Sequence, residues 1–197
     1  MDFTINTETY EAVVNSFERI ARKLLLETIF IINNKEYQFV DIEFYFNCPM
    51  HQDNCTHEHT KESGQFRPHQ YGVDIALKSE NGGYGGILLK GLKDLNDNAI
   101  ITKTRVKDIF IDNARGNKIE YGFEKRTFEY PEPYLIRTKR LNLGQRCPDF
   151  INKKYRFLPF DIELIKKYKG KEQLVRDSDI EDEKQIKQLL GYTLRND

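Results

Sequence analysis

Between Ile42 and Gly72 the chain reads IEFYFNCPMHQDNCTHEHTKESGQFRPHQYG, and all four histidines and two of the three cysteines fall inside it. A carboxylate at the buried end of a strand can accept a proton from water, which suits Glu43 for general-base work. Glu43 and Tyr45 share a parity, so on a strand they point to one face. Tyr45 can stack on a flat ring, and His57 can stack or donate a hydrogen bond. Asp53, four residues before His57, can orient that histidine or pin the loop backbone. His51-x-Asp53-x-Cys55-x-His57-x-His59 also supplies enough ligand types for zinc or another transition metal. That spacing matches no common zinc signature. Asn, Thr and Pro49 between the ligands favour a loop, so the expectation is a protein without a native metal, and a small metalloprotein is the alternative.

A set of ordered motifs gives the stretch a second meaning. Residues 20–25 (IARKLL), Glu43-x-Tyr45, Asp53-x-x-x-His57, Tyr71-Gly72 and Gly86-Ile-Leu-Leu-Lys90 follow one another. Thr138-Lys-Arg140 and Tyr155-Arg-Phe157 come later. In order and spacing, from residue 20 to residue 157, the chain resembles the alkyladenine/3-methyladenine DNA glycosylases. The resemblance implies a curved antiparallel sheet and hydrolysis of the N-glycosidic bond of a modified purine, as in base excision repair. It implies that Glu43 activates water, that Tyr45 and His57 hold a flipped base, and that Tyr71 fills the gap left in the duplex. Lys90 would face phosphates, with Asp53 and Gly72 as structural support. Lys90 stands where the family carries arginine, Pro68 where it places an aromatic ring, and Lys78 where it has a base-selecting asparagine. His69 could replace part of the missing aromatic surface. A non-catalytic relative that binds nucleic acid or a nucleobase is the alternative within this fold.

The elements that must position these groups are legible in outline. Residues 9–26 place Val13, Phe17, Ile20, Ala21, Leu24 and Leu25 at helical spacing. Residues 28–32 and 36–46 read as two strands joined at Asn33-Asn34 in a hairpin. Residues 47–70 read as a long loop. Residues 71–78 alternate as a strand, and Tyr84–Lys90 follow after Asn81-Gly-Gly83 as its partner. Residues 102–112 read as a short helix and residues 126–141 as an extended segment broken by prolines. Ser178 and Glu181 suggest a capping box for a helical tail from 178. Strands with helices kept to the ends indicate an α+β fold in a single domain spanning residues 1–197.

Composition narrows the partners. The 31 basic and 31 acidic residues balance overall, yet residues 1–60 carry four basic and ten acidic groups and residues 61–170 carry 22 and 14. From Arg137 to Arg156 there are seven basic residues and one acidic. Arg140, Lys139, Lys153 and Lys154 are phosphate-binding candidates, with Arg146 in the same run. Double-stranded DNA, or a modified nucleobase or nucleoside, is the expected partner. Three cysteines suggest reduced thiols. No signal-like segment or membrane span is evident, which favours a cytoplasmic protein with no membrane partner. No Walker loop or Rossmann fingerprint implies a cofactor.

Overall fold

The spine of the fold is one long strand, and the computed structural model describes it together with residues 1–79, 81–114, 120–143 and 147–194. A helix comes first: α1 (Tyr10–Glu27), whose N-cap Thr9 accepts a hydrogen bond from the Ala12 N–H. The inward stripe Val13, Phe17, Ile20, Ala21, Leu24 and Leu25 is fully buried. At roughly 1.5–3 kcal/mol for each large side chain removed from water, that stripe outweighs any preference of the isolated helix. β1 (Thr28–Ile32) pairs antiparallel with β2 (Lys35–Cys48). Asn33 and Asn34, with φ of 46° and 65°, make the turn between them, as the asparagine pair predicts.

β2 carries a register irregularity around Val40 and Asp41, and it changes which side chains face the core. Before it, Tyr37 and Phe39 point into the main core; after it, Ile42, Phe44 and Phe46 do. The extra residue therefore turns Asp41, Glu43 and Tyr45 onto the opposite face. A bulge of this kind also bends the strand. β1 borders the first part of β2, and along that same edge β10 (Arg156–Pro159) takes over at Ile42 and Glu43. β6 (Tyr84–Asp94) runs along the other edge.

Outward from β6 come β5 (Gly72–Lys78) and β4 (Phe66–His69). β8 (Tyr121–Lys125) extends the opposite flank beyond β1. β3 (His51–Gln52) pairs with the end of β2, β7 (Ile100–Thr102) with β6, and β9 (Leu135–Thr138) with β10. The result is a mixed α/β domain around a curled antiparallel sheet resembling half a barrel. β3 and β4 correct the expectation of an uninterrupted loop over 47–70: pairing with neighbours fixes short segments that have no periodicity of their own.

α2 (Lys103–Ala114) follows β7. α3 (Ile162–Lys166), α4 (Lys171–Arg176) and α5 (Glu183–Leu190) cover a second apolar cluster built on Ile136, Leu158 and Phe160. The tail helix starts later than the expected capping box. Its N-cap is Asp182, which accepts from the Lys184 N–H. Ser178 instead donates to the Val175 carbonyl and accepts from the Ile180 N–H, closing the turn after α4. Among the described residues no helix is long and apolar enough to cross a membrane.

Candidate functional site

The face of the sheet away from α1 holds the ionisable groups. Across it, Glu43 on β2 lies beside Leu88 on β6, and Leu88 beside Asp74 on β5. Tyr45 is opposite Gly86. These residues floor a cavity of about 580 Å³, whose walls include His57, Arg67, His69, Tyr71, Lys90, Lys103 and residues 141–143. Five of the residues singled out from the sequence, Glu43, Tyr45, His57, Tyr71 and Lys90, therefore share one cavity.

Three donors orient the Glu43 carboxylate, which is wholly buried. Oε1 lies 3.2 Å from the Lys90 ammonium and accepts from the Leu141 N–H at 3.1 Å, while Oε2 accepts the Tyr45 hydroxyl at 2.8 Å. A carboxylate has about four acceptor positions, so one on Oε2 is uncommitted among the described residues. Burial, reinforced by the Glu43 charge, pushes the Tyr45 hydroxyl well above its ordinary pKa and keeps it a donor. The Arg140 guanidinium lies 4.4 Å from the centre of the Tyr45 ring and fixes its other face.

At the rim the His57 and Tyr71 rings are parallel within 7°, with centres 5.9 Å apart. Tyr71 is half exposed. Gly72 beside it has φ of 148°, and a Cβ there would press on Leu88 Cδ1 at 2.9 Å. Both the backbone geometry and the close approach call for glycine.

The far wall is a charged group that the sequence left scattered. Arg67 donates to Asp74 Oδ2 at 2.5 Å. His69 Nδ1 accepts the Tyr71 N–H, so its neutral ring carries the proton on Nε2. That nitrogen sits 2.9 Å from Asp74 Oδ1 but off the line of a hydrogen bond. Arg67 and Lys103 had no motif to mark them. The period-two parity that groups Arg67 with His69 on one strand and sets Asp74 opposite Arg67 on the next was the available signal.

A second cavity of about 360 Å³ adjoins the first, and Lys90, Lys103 and Leu141 line both. It holds two further acids, Asp41 and Asp177. Asp41 takes a two-pronged bond from Arg156 at 2.8 and 2.7 Å, plus the Tyr168 hydroxyl at 2.8 Å. Burial works against the Arg156 cation, but Asp41 more than offsets it, so its pKa is raised. Asp177 pairs with Lys139 at 3.2 Å.

Several expected site residues do other work. The Arg140 side chain is fully buried; it donates to Asp53 at 2.6 Å and to the Phe44 carbonyl at 3.0 Å. It is a brace for the Asp53 loop rather than a phosphate contact, which corrects the sequence expectation for Arg140. Lys139 is held by Asp177, Lys154 donates to the Ser178 carbonyl at 2.7 Å, and Lys153 lies 5.1 Å from the centre of the Tyr10 ring. Arg146 lies outside the described residues.

The five ligands of the metal alternative do not converge. Nδ1 of His51 donates to the Phe46 carbonyl at 2.7 Å, so Nε2, 3.0 Å from the Tyr155 hydroxyl, accepts. The Tyr155 oxygen in turn accepts from Tyr10 at 2.6 Å. Burial lowers the His51 pKa, in keeping with a neutral ring. His59 donates from Nε2 to the Gly85 carbonyl and accepts the Lys61 N–H on Nδ1. His57 stacks on Tyr71.

Cys55 is joined to Cys147, leaving Cys48 as the free thiol. This disulfide corrects the expectation of reduced thiols. Asp53, Cys55 and Cys147 do lie together, but the sulfurs are bonded to each other and the carboxylate already faces a guanidinium.

No protein-family model, curated protein or solved structure matches the chain. The functional reading therefore rests on the residues and their geometry.

Proposed function

We propose that the larger cavity receives the base of a modified purine nucleoside or of a flipped DNA nucleotide, and that Glu43 activates water to hydrolyse its N-glycosidic bond. The observation that carries this is one cavity shared by a carboxylate with an acceptor position free among the described residues and by three rings able to cover a planar base, Tyr45, His57 and Tyr71. Water held on Glu43 Oε2 would attack the sugar C1′ and pass its proton to the carboxylate. The electron pair of the broken C–N bond would leave with the base. A purine alkylated on a ring nitrogen departs as a neutral molecule, so no separate acid is needed for it. Positive charge gathers on the sugar in such a step, and the Glu43 carboxylate would stabilise it. The motif order that resembles the alkyladenine DNA glycosylases supports the same reading.

The test is release of free base, followed by HPLC, from duplexes and nucleosides carrying alkylated purines, hypoxanthine or ethenoadenine. Glu43→Gln should lower the rate by about 10²–10⁴-fold. The carbonyl of the substituted amide can keep the Lys90 and Leu141 donors, so the fold should survive, as circular dichroism would show. Full activity in Glu43→Gln would remove Glu43 from the chemistry. An inert wild type across the panel would leave a base-binding protein instead.

A further inference from the structure

Charge bookkeeping across the two adjoining cavities does not close. Each of their four acids has its own cation: Glu43 with Lys90, Asp74 with Arg67, Asp41 with Arg156, and Asp177 with Lys139. Two lysines are left over. Lys103 lines both cavities, Lys169 lines the smaller one, and neither has an acidic partner among the described residues. The chain as a whole is neutral, so this surplus is local.

We propose that the smaller cavity is a phosphate subsite, in which Lys103 and Lys169 bind the phosphate group of the nucleotide whose base enters the larger cavity. This rests on the base-binding reading above. Three features fit it. Lys103 stands on the partition between the cavities, where a group attached to the sugar of a bound base would emerge. Its stem passes over Gly72, with Cγ 3.4 Å from where a Cβ would be, so the missing side chain leaves its path clear. It is also the first residue of α2, which puts the positive end of a twelve-residue helix dipole at the same place. Two unpaired ammonium groups match the charge of a phosphate monoester near neutral pH. Lys90, already neutralised by Glu43, is not required to supply charge.

The phosphate could belong to a free nucleotide or to a strand, and the experiment separates them. Fluorescence titrations at low salt would compare 1,N6-ethenoadenosine, its 5′-monophosphate and a short single strand with one internal ethenoadenine. Inorganic phosphate would be titrated alone by NMR, reading the amides of Lys103 and Gly170. Wild type should prefer a phosphorylated probe over the nucleoside by roughly 10–100-fold, the range for hydrogen bonds to charged groups. Lys169→Ala, at a residue that lines the smaller cavity and not the larger one, should reduce that preference while nucleoside affinity stays, and Lys103→Ala with Lys169→Ala should abolish it. Preference for the monophosphate assigns a free nucleotide; preference for the strand assigns nucleic acid; both support the subsite. If nothing with a base binds but inorganic phosphate shifts those amides in wild type and not in the double variant, the subsite stands and the base reading falls. Equal affinity for nucleoside and phosphorylated probes, a preference that survives in the double variant, or no response to any probe overturns it.

Discussion

Replacing Arg140 with methionine separates a buried brace from a phosphate contact. Both members of the Arg140–Asp53 pair have fully buried side chains, 2.6 Å apart. Arg140→Met keeps much of the aliphatic bulk but leaves the Asp53 carboxylate with one remaining donor among the described residues, the Cys55 N–H at 3.1 Å. Breaking a buried pair in this way costs about 3–5 kcal/mol. For a chain of this size that corresponds to a melting temperature lower by roughly 6–20 °C. Asp53→Asn combined with Arg140→Met removes the stranded charge and should recover part of the loss; the shortfall from additivity measures the coupling. Urea unfolding of wild type, both single variants and the double variant is the assay. The reasoning fails if Arg140→Met stays within about 0.5 kcal/mol of wild type, as a solvent-facing residue would. Loss of nucleic-acid affinity at unchanged stability would return Arg140 to the phosphate-binding set.

The pH dependence of stability should carry a signature of His51. Because burial lowers its folded-state pKa from 6.5, the unfolded chain takes up the proton first; the contribution is complete above about pH 6.5 and is lost as pH falls towards the folded value, with a slope of up to about 1.4 kcal/mol per pH unit. His51→Phe should flatten that part of the urea-derived profile, and an unchanged slope would mean that the folded ring takes up its proton as readily as the unfolded one. The disulfide closes a separation of 92 residues, for which chain entropy gives roughly 4–5 kcal/mol. Dithiothreitol should lower the melting temperature of wild type but not of Cys147→Ser, and labelling of three thiols in unreduced, denatured protein would refute the pairing. Gly85→Ala would drive a Cβ into the Tyr45 carbonyl and the Phe46 backbone. Chemical denaturation should show a loss of roughly 3 kcal/mol, the upper part of the range for overpacking; a loss below about 1 kcal/mol would mean that β2 and β6 can part at Tyr45.

What could be read from the sequence was whatever local chemistry decides. The 3.6-residue spacing marked α1, and paired asparagines marked the first hairpin. Strand parity put Glu43 and Tyr45 on one face. Partners distant in sequence escaped. Nothing near Arg140 announces Asp53, 87 residues away, and nothing near Cys55 announces Cys147. The tail helix was misplaced because Ser178 and Asp182 are both good caps, and closure of the preceding turn claimed the serine. The irregularity at Val40 and Asp41 was invisible too, although it brings Phe39 into the same core as Phe44 and Phe46 despite their opposite parity.

Glu43 is hemmed in by paired strands, with β6 on one side and β10 on the other. His57, Asn142 and Leu143 reach the same cavity from connecting segments. One half of the cavity is thus anchored masonry and the other is joinery. Changes in residues 56–60 or 142–143 could reshape what the cavity admits while the strands and the Leu141 N–H keep the carboxylate in position. Divergence in selectivity would then be concentrated in those segments, and a designer seeking a new ligand would replace them and leave the strands alone.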